Sequence, residues 1–230
     1  MADATDLQAR REAHIAEHHR LDLKRTALLV IDMQCGFVRE GASLEVPLGR
    51  GIIGNIAQLI DACREQTIPV VFTEFVYAET IPCLRGDPFG REHLPLQSGS
   101  PAYGRPSGNC LIGPNAGLGA ESAATIDELA PRADELVIQA HAYDKFYGTP
   151  LDMALRARDI RHLIITGLTT DVCVNHTLMS ATTREYRVTA VTDGVATIDP
   201  AIQDACFAIW RNKFAHLQTT AELLPVLRGY

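Results

Sequence analysis

The sequence contains no long apolar run, no cluster of basic residues and no closely spaced pair of cysteines. A membrane-spanning helix needs about 20 consecutive apolar residues. Binding to nucleic acids needs a basic surface, whereas the formal net charge here is -7. We therefore predict no membrane partner and no nucleic-acid partner. Because no apolar signal-peptide core follows Met1, we also expect a cytoplasmic protein.

The six cysteines are scattered along the 230 residues, at positions 35, 63, 83, 110, 173 and 206. For a chain of this length that is expected in the cytoplasm, the spacing predicts free thiols rather than a disulfide framework. We interpret Cys35, Cys63 and Cys206 as small buried hydrophobic residues. The roles of Cys83 and Cys110 stay open.

Short apolar runs alternate with segments of helical periodicity along most of the chain. This alternation predicts an α/β fold, in which a mainly parallel six-stranded sheet carries helices on both faces. Residues 1–22 are polar and are predicted to form an N-terminal arm or helix. Residues 23–230 are predicted to form a single domain. Within it, residues 82–119 are rich in proline and glycine and are predicted to form a long functional loop.

Two polar residues follow predicted strands, where ligands bind in open α/β sheets. Asp32 ends the first predicted strand, and Cys173 starts the helix that follows the predicted strand 162–167. A helix N-terminus favours a thiolate, so we expect the pKa of Cys173 to be lowered. Taken alone, Asp32 could equally be a helix cap or a turn residue.

Three segments resemble the signatures of the isochorismatase-like cysteine hydrolases. They are Val-Ile-Asp-Met-Gln at 30–34, Gly-Thr-Pro-Leu-Asp at 148–152 and Ile-Thr-Gly-Leu-Thr-Thr-Asp-Val-Cys-Val at 165–174. The family's amidase branch includes N-carbamoylsarcosine amidase, biuret hydrolase and ureidoacrylate amidohydrolase. The resemblance is to this branch, because the vinyl-ether-cleaving isochorismatases lack the nucleophilic cysteine.

The resemblance implies a three-layer αβα sandwich, assembled as a homodimer or homotetramer. It implies that Cys173 attacks an amide carbonyl, while Asp32 takes the thiol proton and returns it to the leaving nitrogen. The family's cis peptide would fall between Leu168 and Thr169. The backbone N–H groups of Thr169 and Cys173 would then form the oxyanion hole.

The family also has a catalytic lysine, and an ungapped count from Thr149 places it at Ala140. Two explanations compete. In the first, the chain is an inactive variant in which alanine replaces that lysine. In the second, Lys145 supplies the charge from five residues further on. We favour the first, because a lysine at position 140 would restore the family pattern in a single step.

No metal or cofactor is expected. Nicotinamidases in this family carry an Asp-x-His zinc motif, and none occurs between Gln34 and residue 80. The sequence therefore disfavours nicotinamide as the substrate.

The predicted function is cysteine-dependent hydrolysis of a small linear amide or N-carbamoyl compound. The alternative is a non-catalytic binding member of the fold. Candidate substrate-binding residues lie near the strand ends or follow the catalytic segments, although any aromatic residue among them could equally pack in the core. These candidates are Phe37, Tyr77, Tyr143, Phe146, Asn175, His176 and Trp210.

Overall fold

The computed structural model describes residues 4–78 and 108–229. The helices in these ranges are α1 (Ala4–His18), α2 (Cys35–Val38), α3 (Ile53–Glu65), α4 (Leu151–Ala157), α5 (Asn175–Thr183), α6 (Pro200–Ile209) and α7 (Thr220–Arg228). The strands are β1 (Thr26–Ile31), β2 (Val70–Phe75), β3 (Tyr77–Ala78), β4 (Leu111–Ile112), β5 (Leu136–Ala140), β6 (His162–Leu168), β7 (Arg187–Ala196) and β8 (His216–Gln218). None of the described helices combines the length and apolarity needed to cross a bilayer.

Six strands form one sheet in the order β5-β2-β1-β6-β7-β8. Every neighbouring pair is parallel, which confirms the predicted sheet. From β1 the chain first builds outward through β2 and β5, and it then returns to the other side of β1 with β6. The strand order therefore reverses between β1 and β6, and a ligand crevice is expected outside the carboxyl ends of these two strands.

Two apolar clusters lie on opposite faces of the sheet, and β1 contributes to both. Leu28 and Val30 pack in the cluster that contains apolar side chains of α3 and α7. Leu29 and Ile31 point the other way, into the cluster shared with α4, α5 and α6. This alternation follows from the two-residue period of a strand. It explains why every residue of β1 is buried and produces the three-layer αβα arrangement.

The predicted loop 82–119 is only partly within the described residues. Residues 79–107, which include Cys83, lie outside them. In the remainder, β4 pairs in parallel with β3, so residues 111–112 form a short strand rather than loop. The Tyr77 N–H donates to the Cys110 carbonyl at 3.0 Å, which ties the start of this pairing to the end of β2.

Gly167 lets β6 approach β1 closely just before the catalytic candidates. Its φ is +115°, and a Cβ built on it would lie 1.9 Å from the Ile31 carbonyl oxygen. A side chain at this position would therefore collide with backbone that cannot move independently of the sheet. The glycine thus fixes the spacing between the ends of the two strands that border the crevice.

We predict that Gly167→Ala lowers the free energy of unfolding by an amount at the upper end of the roughly 0.5–3 kcal/mol usual for point mutants. Gly54→Ala is the matched control, because its added Cβ meets nothing within 4 Å and Gly54 lies in α3. Alanine is the better helix former there, so the control is expected to be neutral or stabilising by up to about 1 kcal/mol. Urea denaturation measures both variants, and equal effects would contradict the close approach.

Three histidines meet at the amino ends of the strands, on the edge of the sheet opposite Asp32. The His19 ring lies 5.8 Å, centroid to centroid, from the rings of both His162 and His216. Burial, followed by the charges of His19 and Arg187, lowers the pKa of His162 to about 3. Burial, followed by His216 and Arg187, lowers the pKa of His19 to about 4. The pKa of His216 is also lowered by burial, against the opposing charge of Glu222.

These shifts predict that stability falls as the pH drops from 6.5, the ordinary histidine pKa, towards 4. Above pH 6.5 the histidines are neutral in both the folded and the unfolded chain. Below it, the unfolded chain takes up protons that the folded protein excludes. Replacing His162 by glutamine should reduce this acid sensitivity by up to roughly 1.4 kcal/mol per pH unit.

Thermal unfolding of the parent and the His162→Gln protein between pH 4 and pH 7 measures the difference. His14→Gln is the control, since His14 is exposed on α1. The account of the histidine cluster would be overturned by identical pH slopes for the parent and His162→Gln.

Candidate active site

Asp32 directly follows β1 and is fully buried. Its φ of 51° is left-handed, a conformation that aspartate tolerates better than most residues. The neighbouring strand holds the residue at two points. The Asp32 N–H donates to the Thr73 carbonyl at 3.0 Å, and the Thr73 hydroxyl donates to Asp32 Oδ1 at 2.7 Å. Neither of these hydrogen bonds involves Asp32 Oδ2, which is the oxygen that Lys145 contacts.

Lys145 reaches Asp32 from the turn that follows β5. Its Nζ lies 2.7 Å from Asp32 Oδ2, and both side chains are fully buried. The ammonium also donates to the Ala142 carbonyl at 3.3 Å and lies 4.9 Å from the centroid of the Phe75 ring. Burial opposes the charged form of Lys145. Burial is the largest single influence, but the charge and hydrogen bond of Asp32 and the interaction with Cys173 together outweigh it, and the pKa of Lys145 is raised.

The ammonium beside Asp32 therefore comes from Lys145, as in the second of the two explanations, and not from position 140. Ala140 is the last residue of β5, pairs with Phe75 and accepts a hydrogen bond from the Val76 N–H. The ungapped count thus fell on the strand, whereas the ammonium comes from the turn beyond it. The Thr149 hydroxyl donates to the Lys145 carbonyl at 2.5 Å, which fixes this turn against the start of α4.

Cys173 lies in the π-helical turn Thr170–Val174 between β6 and α5. Burial raises the pKa of its thiol, and the hydrogen bond and charge of Asp32 raise it further, against the opposing charge of Lys145. The predicted lowering of this pKa is wrong, because burial is the largest influence on the thiol and raises its pKa. Cys173 is therefore a thiol with a raised pKa that interacts with both Asp32 and Lys145.

The other described cysteines differ from one another in burial. Cys63 and Cys206 are buried, as predicted, and burial raises the pKa of Cys63 to about 12. Cys35 is only partly buried, at the start of α2. Cys110 is fully buried, and burial raises the pKa of its thiol too.

The turn before Cys173 contains the cis peptide that the resemblance implied, between Leu168 and Thr169. The Thr169 carbonyl accepts hydrogen bonds from the N–H groups of Val172 and Val174, at 3.2 and 3.1 Å. Thr169 and Cys173 both line the same cavity. These contacts fix the backbone around the cysteine, next to the buried Lys145–Asp32 pair.

The cavity has a volume of about 940 Å³, and Cys173 lies in its wall. Of the predicted substrate-binding residues, Phe37, Tyr77 and Tyr143 line it. Sequence reasoning missed Phe75, which ends β2 and could have been found by the same strand-end rule. It also missed the segment 40–48, Asp171 and Thr197. The segment 40–48 contains no motif that would have singled it out.

The other four predicted substrate-binding residues do not line the cavity. Trp210 is fully buried, and its indole N–H donates to Asn175 Oδ1 at 2.8 Å, so these two residues bind each other. Phe146 is buried and stacks against Tyr186. His176 is exposed on α5, and its Nδ1 contacts the Val172 carbonyl at 2.8 Å. Core packing and helix geometry account for all four.

The family model described as the isochorismatase domain matches residues 26–222. The chain is 34% identical over 172 residues to ureidoacrylate amidohydrolase RutB of Yersinia enterocolitica, covering 70% of each chain. It is 30% identical over 193 residues to the protein of the same name from Klebsiella pneumoniae, covering 81% of this chain and 80% of the relative.

Solved structures give the same result. N-carbamoylsarcosine amidase from Thermoplasma acidophilum superposes with a TM-score of 0.64 at 32% identity, over 85% of this chain and 96% of that one. A cysteine hydrolase from Pseudomonas syringae superposes with a TM-score of 0.72 at 24% identity, over 91% and 95% of the two chains, and shares the fold. The chain belongs to the isochorismatase family, on its amidohydrolase branch.

The buried pair predicts a large stability cost when only one charge is removed. Lys145→Met leaves Asp32 charged and unpaired, which should lower the free energy of unfolding by about 3–5 kcal/mol. Adding Asp32→Asn removes the orphaned charge and should restore most of that loss. Urea denaturation of the single and double variants measures the coupling between the two residues.

Arg25→Met serves as the control, because Arg25 pairs with Asp159 at the surface. An exposed pair of this kind contributes at most about 1 kcal/mol. If the double variant were no more stable than Lys145→Met alone, the two charges would not depend on each other.

Proposed function

We propose that the protein hydrolyses a small linear amide or N-carbamoyl compound through a thioester on Cys173. The observation that carries this proposal is the buried ion pair of Lys145 and Asp32 next to a cysteine in the wall of an open cavity. The named activities of the related amidohydrolases support the same reaction class.

The reaction starts from a neutral thiol. Because burial raises the pKa of Cys173, the proton must leave during the attack rather than before it. Asp32 is the base, since its carboxylate hydrogen-bonds the thiol and takes the proton as the sulfur bonds to the carbonyl carbon. The raised pKa of Lys145 keeps its ammonium charged, 2.7 Å from Asp32 Oδ2.

The attack places negative charge on the former carbonyl oxygen. The backbone N–H groups of Thr169 and Cys173 receive this oxyanion in the proposed mechanism. When the tetrahedral intermediate collapses, the C–N bond breaks and Asp32 returns the proton to the leaving nitrogen. Ammonia or an amine departs, and the acyl group remains on the sulfur as a thioester.

A water molecule completes the cycle. Asp32 is again ionised after the amine leaves, so it takes a proton from the water as the oxygen attacks the thioester carbonyl. The C–S bond breaks, and the proton passes back to the Cys173 sulfur. The product is a carboxylic acid, or a carbamic acid when the substrate is an N-carbamoyl compound. The homodimer or homotetramer implied by the resemblance remains a prediction.

The non-catalytic alternative and the inactive-variant explanation both started from a missing lysine. Because Lys145 pairs with Asp32, we infer that one site holds the acid/base Asp32, the nucleophile Cys173 and the lysine that the family pattern requires. Ala140 is then an ordinary strand residue, and a lysine there has no role to restore.

An ammonia-release screen of linear amides and N-carbamoyl compounds tests this proposal. The parent chain should turn over at least one of them, and Cys173→Ala should abolish that activity. Lys145→Ala should reduce kcat by about 10²–10³-fold, because the charge that stabilises the site is lost. Lys213→Ala is the control, since Lys213 is exposed.

Ala140→Lys distinguishes the two explanations for the lysine. It should give no increase in rate, because the site already holds an ammonium. An inactive parent chain that gains activity from Ala140→Lys would instead establish the inactive-variant explanation.

A further inference from the structure

The cavity walls next to Cys173 are mainly aromatic and aliphatic. Phe75 and Tyr77 are almost completely buried and meet edge to face, with ring centroids 4.8 Å apart. Tyr143 also stacks against Phe75, with ring centroids 5.5 Å apart. Three interlocked rings make a rigid wall, and flat or branched apolar groups pack well against it. Aliphatic side chains add to this surface, namely Leu44, Val46, Leu48, Leu168 and Ile198.

The charges on the cavity wall are all negative. Among residues 4–78 and 108–229 the lining includes Glu40, Glu45 and Asp171, and no lysine, arginine or histidine. Asp171 accepts the Thr197 hydroxyl at 2.6 Å, so it is held in place as an acceptor. Lys145 is fully buried against Asp32 and is not part of the lining.

Arg50, which contacts this acidic wall, is already engaged. Arg50 donates to Glu45 Oε1 at 2.7 Å and to the Val38 carbonyl at 3.1 Å. It therefore neutralises a side chain of the wall rather than offering a charge to a ligand. A carboxylate on the substrate would still meet Glu40 and Asp171, for which the described lining offers no cation, and these like charges disfavour its binding.

The volume of the cavity also indicates the size of the substrate. A carboxamide alone is much smaller than about 940 Å³, a volume near the upper end of the usual range for small-molecule sites. The remaining space adjoins the aromatic wall. The group attached to the reacting carbonyl must therefore be sizeable if it is to displace water from that wall.

We propose that the substrate is an uncharged amide whose acyl or N-carbamoyl substituent is a sizeable apolar group, aryl or branched alkyl, and that anionic amides are discriminated against. This inference rests on the proposed function and names its substrate class. The apolar substituent lies against Phe75, Tyr77 and Tyr143, while the reacting carbonyl lies at Cys173.

The test compares two primary amides of the same shape that differ in charge. In 5-methylhexanamide the far end is an isopropyl group, and in glutaramate a carboxylate takes its place. The parent chain should hydrolyse 5-methylhexanamide with at least tenfold higher kcat/KM, and 3-phenylpropanamide should also be a substrate. An equal or higher kcat/KM for glutaramate would overturn the inference while leaving amide hydrolysis through Cys173 intact.

A charge placed on the wall tests the cause of the discrimination. Leu48→Lys adds a cation to the cavity lining at a half-exposed position, and it should shift the ratio of the two kcat/KM values towards glutaramate by about three- to tenfold. Leu118→Lys is the matched control, because Leu118 is 83% exposed and lies off the cavity. An unchanged ratio in Leu48→Lys would contradict electrostatic exclusion.

Failure of the proposed function gives a different result. If neither these amides nor any other linear amide or N-carbamoyl compound releases ammonia with the parent chain, the amidohydrolase proposal falls and the substrate inference falls with it. If glutaramate alone is cleaved and Cys173→Ala abolishes its cleavage, only the substrate inference falls.

Discussion

Two opposite charges, Lys145 Nζ and Asp32 Oδ2, lie 2.7 Å apart at the carboxyl end of β1 with no exposure to solvent. Removing an ion from water costs several kcal/mol, and only a close partner with further hydrogen bonds offsets that cost. The Thr73 hydroxyl, the Ala142 carbonyl and the Phe75 ring supply these further contacts. The surrounding fold must therefore hold five groups in one geometry, and the chemistry depends on how well it does so.

The parallel sheet provides that geometry. Asp32 directly follows β1, and the neighbouring strand β6 leads through Gly167 and the cis peptide to Cys173. On the other side of β1, β2 supplies Thr73 and Phe75, and the turn after β5 supplies Lys145. Because neighbouring parallel strands end at the same edge, four separate parts of the chain converge there.

The pKa values of Lys145 and Cys173 are both raised, and the two shifts have different consequences for the site. The pKa of Lys145 is raised by Asp32, so the ammonium is a permanent charge. Burial raises the pKa of Cys173, and in the proposed mechanism its proton leaves the sulfur only as the carbonyl carbon is attacked. A thiol of this kind is protected from casual oxidation, since the thiolate is the reactive form. Activation is then coupled to the presence of substrate.

Much of the fold and part of the site could be predicted from the sequence. Continuous apolar runs identified the strands, because a parallel strand is buried on both faces. Asp32 and Cys173 followed from their places after strands and from a specific motif. Lys145 was misassigned because a fixed ungapped spacing took no account of the turn after β5. The pKa of Cys173 was misjudged because the sequence gives the helix start and not the burial.

Aromatic residues were the least predictable part of the site. Phe75 and Trp210 are both large and both almost completely buried, but only Phe75 borders the cavity. The difference depends on packing between distant segments. The Trp210 indole N–H donates to Asn175, whereas the Phe75 ring packs against Tyr77 and Tyr143. Likewise, the acidic segment 40–48 becomes a cavity wall only through the tertiary fold, and local sequence carries no signal for it.

The central claim is that Cys173 becomes acylated during turnover, and acid-quench mass spectrometry of the protein with its best amide tests it most directly. The account predicts an adduct on the peptide containing Cys173, in which the substrate's acyl group replaces the thiol hydrogen, and no such adduct in Asp32→Asn. Turnover that proceeds without any adduct on Cys173, or an acyl group found on another cysteine, would contradict it.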